Sequence, residues 1–413
     1  MAFAIFFNVK PLRNLSAHGY IFFGSLFYIL PILFYYITQT SFTPIGIPNI
    51  NLTTEIYTIY TRIVFIFFIT FYVFSYILSK ISFQYFSKIS TVNFGTSVKF
   101  LFLFFIFITS IEYVRKIYII QNIGYQYYHG GVGYDKRGFI SFIIEIAAIL
   151  FLQIGVIKKE YIFIIVYFII NSLFLMTGMR MPFFVNMYVL VLYLKPNILT
   201  KIYYIIPLFI LAVFILIGVQ QYRYGFNFFD SLTESSFYLT ALIQINEIFG
   251  YTSELLLAII QVKTENIQIG AASAMYDINH IFNLFLSKIF NSNLVIQDTS
   301  EYGNIGYNTY RYFMPDKFYL ENATFGGSNL GDIFFLYGDI GIIIYSFTMA
   351  IVIKFFEFCR KNNNLFLTLL FFIIFPNILR SFRDGYIGWL INSSIIVFIA
   401  TVLIISFRKT KNS

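Results

Sequence analysis

The chain has 413 residues, of which 59% are hydrophobic, 22% aromatic and only 11% charged, with a net charge of +9. A soluble domain carries about 25% charged residues, so this composition excludes a water-soluble globular protein and points to an all-α polytopic membrane protein. Apolar runs longer than about 18 residues call for helices, because the strands of a membrane barrel alternate over about 10 residues.

About ten transmembrane helices are expected, near 18–38, 57–79, 100–120, 139–157, 161–178, 182–197, 202–221, 332–354, 364–380 and 386–407. Residues 1–14 lack a small-residue cleavage site, so no removable signal peptide is expected. Positive charge collects in short cytoplasmic loops. With the N-terminus inside, those loops hold Lys10, Arg13, Lys80, Lys88, Lys99, Lys158, Lys159, Lys195, Lys201, Lys354, Arg360, Lys361, Arg408, Lys409 and Lys411. Both termini are then cytoplasmic. This topogenic lysine accounts for the basic balance, and no nucleic-acid partner is expected. The single cysteine, Cys359, excludes an internal disulfide and a cysteine-rich metal site.

Residues 222–331 form a large outward loop between spans seven and eight. Two semi-apolar stretches lie in it, Ser236–Ile260 and Ala274–Phe290. Counting only one as a span would turn Lys354, Arg360, Lys361 and the Arg408–Lys411 cluster outward, so charge parity allows none or two. Both carry interior charges (Glu247, Glu254, Asp277, Lys288), which favours amphipathic helices lying at the outer interface. The rest, 291–330, is rich in Gly, Asn, Tyr and Asp and reads as an ordered polar loop.

The outward arginines are the chemistry-bearing feature. Arg180 follows Gly178 at the corner before Pro182, Arg223 ends span seven between Tyr222 and Tyr224, and Arg380 and Arg383 close span nine beside Asp384. Arginine presents a planar fork that grips phosphate bidentately, whereas lysine is a solvated point charge. Each arginine taken singly is also readable as an interfacial anchor that snorkels to headgroups. Four together at the ends of three spans point to a phosphorylated lipid, since lysine would anchor as well. Arg380 and Arg383 stand three apart, so one helical face can present both.

Further candidates lie in the long loop. His280 is its only histidine and suits a general base, although a lone histidine is also a common structural residue. Tyr310-Arg311-Tyr312 suits a sugar ring plus an anion, or a packed loop corner. A glycine-rich run, Gly326-Gly327-Ser328-Asn329-Leu330-Gly331-Asp332, leads into span eight. Amides at a helix N-terminus favour anions, and Asp332 there is also a natural cap. Asp339 lies deeper, where an ionisable residue is costly and faces a cavity or a function.

These features resemble the O-antigen polymerase family (Wzy type), within the wider O-antigen ligase/polymerase group. The resemblance rests on Gly178-Met179-Arg180 at an outward corner, the long loop before a late span, and the small, acidic, glycine-rich entry to that span with the later Gly338-Asp339-Ile340-Gly341. It covers essentially the whole chain. It implies a metal-independent glycosyltransferase of the periplasmic face, without cofactor, in the bacterial inner membrane. Its substrates would be undecaprenyl-diphosphate-linked oligosaccharide units, and the resemblance implies a chain-length regulator as partner. In that reading Arg180, Arg223, Arg380 and Arg383 hold the departing diphosphate, and Asp332 or His280 takes the acceptor proton. Arg311, Tyr310, Glu321, Ser328 and Asn329 hold sugars. The ligase branch typically shows a histidine where this chain has Ser328-Asn329.

Two other classes compete. An alternating-access flippase should show internal repeats and mid-membrane charges, whereas here the charges cluster outward. A metal-dependent lipid-linked transferase should carry acidic ligands in its first outer loop, where residues 39–56 offer only Glu55.

Overall fold

The computed structural model describes residues 15–33, 53–81, 96–123, 148–150, 152–176, 180–196, 237–269, 305–313, 328–362 and 364–384, with isolated positions between 199 and 218. Every regular element among them is helical, and no strand occurs among the described residues. The helices are α1 (Leu15–Tyr28), α2 (Thr54–Ser79), α3 (Thr96–Ile123), α4 (Tyr161–Met176), α5 (Arg180–Leu194), α6 (Phe237–Thr264), α7 (Ile305–Phe313), α8 (Asn329–Lys361) and α9 (Leu365–Asp384).

Three of these are long and apolar enough to cross a bilayer: α2, α8 and Leu365–Phe382 within α9. Tyr161–Leu173 and Met181–Leu194 are shorter apolar helices. The expected spans 57–79, 100–120, 332–354 and 364–380 therefore fall on helices, as do the described parts of 161–178, 182–197 and 139–157, and the described part of 18–38, to Leu33, falls on α1 and the turn and helical residues after it. The span at 386–407, most of 202–221, the stretch 274–290 and both termini lie outside the described residues.

The long helix α8 is the centre of the bundle. Phe74 meets Phe347 edge-on at 4.7 Å, and Arg62 meets Asp339 at 3.3 Å, so α2 and α8 run parallel. Helix α1 runs against them, with Ser16 beside Glu357 and Tyr28 beside Ser328. Helix α9 packs back on α8, and Tyr193 of α5 meets Phe372 of α9 at 5.0 Å. Aromatic rings fill the centre: Tyr20 lies 4.4 Å from Phe382 and 4.8 Å from Phe71, all fully buried. Outward faces stay apolar, as with Phe65, Ile69 and Val73 of α2 and Ile340, Ile344 and Ile351 of α8. Lipid covers such faces in a membrane, so their exposure is not a packing defect.

One end of the bundle is clamped by an ion cluster. Glu357 accepts from the Ser16 hydroxyl at 2.6 Å and the Ser16 amide at 3.2 Å, at the first turn of α1. Arg360 binds both its carboxylate oxygens, at 2.6 and 3.1 Å, and Lys361 adds a third contact at 3.0 Å. Arg360 also donates to the Leu192 carbonyl at 3.3 Å. A carboxylate at a helix N-terminus is favoured by the unsatisfied amides there, so one buried charge ties α1, α5 and α8.

Helix α6 differs from its expectation. The sequence suggested a surface-lying amphipathic helix over 236–260, but α6 extends to Thr264, and its described side chains from Phe249 to Val262 are all buried. The reason is the run Leu255-Leu256-Leu257-Ala258-Ile259-Ile260, apolar around the whole helix, and such a helix is buried instead of lying at a boundary. It packs against α1, α2, α7 and α8, and takes Glu254 inside with it. The short helix α7, with Ile305 and Phe313 buried and Tyr312 exposed, is the amphipathic one.

Candidate site at the Ser328 end of the bundle

Opposite the Glu357 cluster, the starts of α2 and α8 meet the end of α1. The entry to α8 is built on Ser328, whose extended backbone (φ −124, ψ 107) and side chain cap the helix by accepting from the Gly331 amide at 3.3 Å. Gly331 lies so close to α6 that a Cβ there would meet the Ile259 Cδ1 at 2.6 Å and push that side chain aside. That close approach seats α6 directly on the α8 entry.

A chain of hydroxyls fixes this end. The Tyr28 hydroxyl lies 3.2 Å from the Ser328 hydroxyl and donates to the Phe382 carbonyl at 3.4 Å, so Ser328 is left to donate to Tyr28. Asn329 donates to the Tyr345 hydroxyl at 3.1 Å, and Tyr345 pairs with Tyr20 at 3.4 Å. Pro31 has no amide and so leaves the Phe27 carbonyl, four residues earlier, without its helical donor. Ser253 of α6 donates to that carbonyl. The Tyr60 hydroxyl lies 2.8 Å from the Tyr28 carbonyl and 2.9 Å from Ser253. In lipid every freed backbone group needs such a partner.

The sequence candidates divide into three sets. Ser328 and Asn329 are described in full: Ser328 is buried as the cap, and Asn329 is half-buried beside Tyr345. Asp332 lies in the first turn of α8 and Arg380 on α9, two residues before Phe382, both half-buried. Arg180, Tyr310, Arg311 and Arg383 have described backbone but not side chains: Arg180 opens α5, Tyr310 and Arg311 lie on α7, and Arg383 is in the last turn of α9. His280, Arg223 and Glu321 lie outside the described residues.

From the contact between Tyr193 and Phe372, the antiparallel pair α5 and α9 climbs to one end. At a rise of about 1.5 Å per residue, Arg380 sits roughly 12 Å and Arg180 roughly 20 Å from that level. Both thus lie toward the Ser328 end. Helix α7 joins them there by packing on α6 through Ile305 and Phe313, next to Phe335.

The sequence reading passed over two cations at this end. Arg62 stands eight residues inside α2 and pairs with Asp339 at 3.3 Å. Lys263 reaches from the end of α6 to the carbonyls of Phe334 and Phe335, and its ammonium lies 4.6 Å over the Phe334 ring. Burial lowers its pKa, while Asp339 acts to raise it. The signal was present: a charge inside an apolar helix, and a lysine closing an all-round apolar run.

Comparison with curated proteins returns no match, nor does comparison with solved structures. The family model for O-antigen polysaccharide polymerase Wzy matches residues 5–412, nearly the whole chain, and the chain belongs to that family.

Proposed function

We propose that this protein joins undecaprenyl-diphosphate-linked oligosaccharide units into O-antigen or a related surface polysaccharide, at the periplasmic face of the inner membrane. Family membership supports polymerisation of O-antigen in general. The observation that carries the finer reading is the asymmetry of the bundle: Arg360, Lys361 and Lys354 gather at the Glu357 end, whereas Arg380, Arg180 and the capped entry of α8 share the other. Basic residues in short loops mark the cytoplasmic side, and Arg360 and Lys361 sit at the short turn between α8 and α9, which supports an outward Ser328 end.

In this reading a hydroxyl of one unit attacks the anomeric carbon of the growing chain. The bond from that carbon to the diphosphate oxygen breaks, and undecaprenyl diphosphate departs with the electron pair. Its developing charge is met by preorganised guanidinium forks from Arg180, Arg380, Arg223 and Arg383, without a metal. Asp332 or His280 accepts the hydroxyl proton. Arg311, Tyr310, Glu321 and Asn329 line the sugar path, Ser328 holds the α8 entry from within the fold instead of touching sugar, and the prenyl chain lies against the apolar helix flanks in the membrane. A chain-length regulator would act on the same growing product.

The test is a lipopolysaccharide gel from a strain lacking the gene, with and without the gene restored. A ladder that collapses to a single-repeat band and returns on complementation supports polymerisation. Loss of the single-repeat band as well points to ligase or flippase, and an unchanged ladder discards the reading.

A further inference from the structure

Helix α8 is broken. Gly338, ten residues in, has φ 64 and ψ −154, a conformation essentially restricted to glycine. No atom lies within 4 Å of a Cβ built there, so the backbone and not crowding demands glycine. A helix that stops leaves the carbonyls of its last turn without donors. Lys263 supplies donors to two of them, Phe334 at the shorter distance and Phe335 at 2.9 Å. An ammonium at a helix C-terminus is also favoured by the helix dipole. On the far side of the break, Asp339 is held by Arg62 of α2 at 3.3 Å. Two cations from two other helices thus pin the two lips of one break.

We infer that Lys263 and the Gly338 break are a positioning device: they set the tilt of the outer half-helix, residues 329–337, and with it the placement of Ser328, Asn329 and Asp332. A continuous α8 would carry those residues along a straight axis and swing them away from Tyr28 and Tyr345. The break is costly in a membrane unless its backbone groups are satisfied, and Lys263 serves two of them, the Phe334 and Phe335 carbonyls, from outside the helix. Lys263 touches no substrate in this reading; it acts through the half-helix. The inference rests on the proposed function only in assigning substrate to the Ser328 end.

The experiment uses the full chain purified in nanodiscs, with thermal midpoint and polymerisation of lipid-linked repeat units both measured. Lys263→Met removes the cap and lowers both midpoint and rate. Lys263→Arg keeps two donors and restores both. Gly338→Ala favours a continuous helix whose own amides serve those carbonyls, so it keeps the midpoint yet loses on the order of a hundredfold in rate, as a misplacement of about 1 Å does. The double variant Gly338→Ala/Lys263→Met regains the midpoint lost by Lys263→Met and stays inactive. Wild-type rate in Gly338→Ala, or a double variant no more stable than Lys263→Met, overturns the inference. If the wild-type chain makes no polymer while the midpoints still couple, the proposed function fails and the capped break stands.

Discussion

Tyr28 and Ser328 stand 300 residues apart in the chain, yet their hydroxyls meet at 3.2 Å inside the protein. Through the Tyr28 hydroxyl the cap of α8 is joined to the Phe382 carbonyl, beside Arg380 and Arg383 on α9. A glycine-rich helix entry and an arginine-bearing helix end are thus registered by one buried phenol.

Tyr28→Phe removes that bridge and leaves the ring packing against Phe382 in place. The expected cost is about 1–2 kcal/mol, for a buried acceptor and hydroxyl that lose their partner. A lower thermal midpoint in detergent checks it; an unchanged midpoint means the bridge does not stabilise the fold.

Glu357→Ala should be the more damaging change at the opposite end. The Arg360 side chain is only 8% exposed, so removing its partner strands a buried cation. Breaking such a pair costs about 3–5 kcal/mol. Size-exclusion profiles after graded heating would read this as early loss of monodisperse protein. Glu357→Gln, which keeps the acceptor for Ser16, should fall between wild type and alanine.

Arg180→Ala and Arg380→Ala should each abolish polymer while leaving protein in the membrane. Arg→Lys at the same positions should fail nearly as badly, because the bidentate fork is lost. Immunoblots of membranes beside lipopolysaccharide gels decide this. Full-length polymer from both alanine variants removes the arginine clamp from the mechanism, and full activity in the lysine variants reduces it to charge alone.

Chelator should leave the rate of the purified enzyme unchanged, since guanidinium groups are proposed to meet the diphosphate charge. Inhibition by chelator that magnesium or manganese reverses would put a metal ion at the leaving group instead.

The sequence by itself determined the class, the positions of most helices and the entry to α8. Each is a local matter: helical hydrogen bonds close within four residues, a bilayer forces apolar runs into helices, and a glycine-rich run marks a helix start; the cap itself is Ser328, through the Gly331 amide, and not Asp332 as the sequence suggested. The cost of placing Asp339 inside a span was legible for the same reason. Only the tertiary structure decided that α6 is buried, because two interior carboxylates argued for the surface while six consecutive apolar residues argued for the core, and packing against α1, α2, α7 and α8 settled the conflict. The same holds for Arg62 with Asp339, Lys263 with the Phe334 and Phe335 carbonyls, and Tyr28 with Ser328. Those pairings depend on which helix faces meet across long stretches of chain, and no local pattern of residues encodes that.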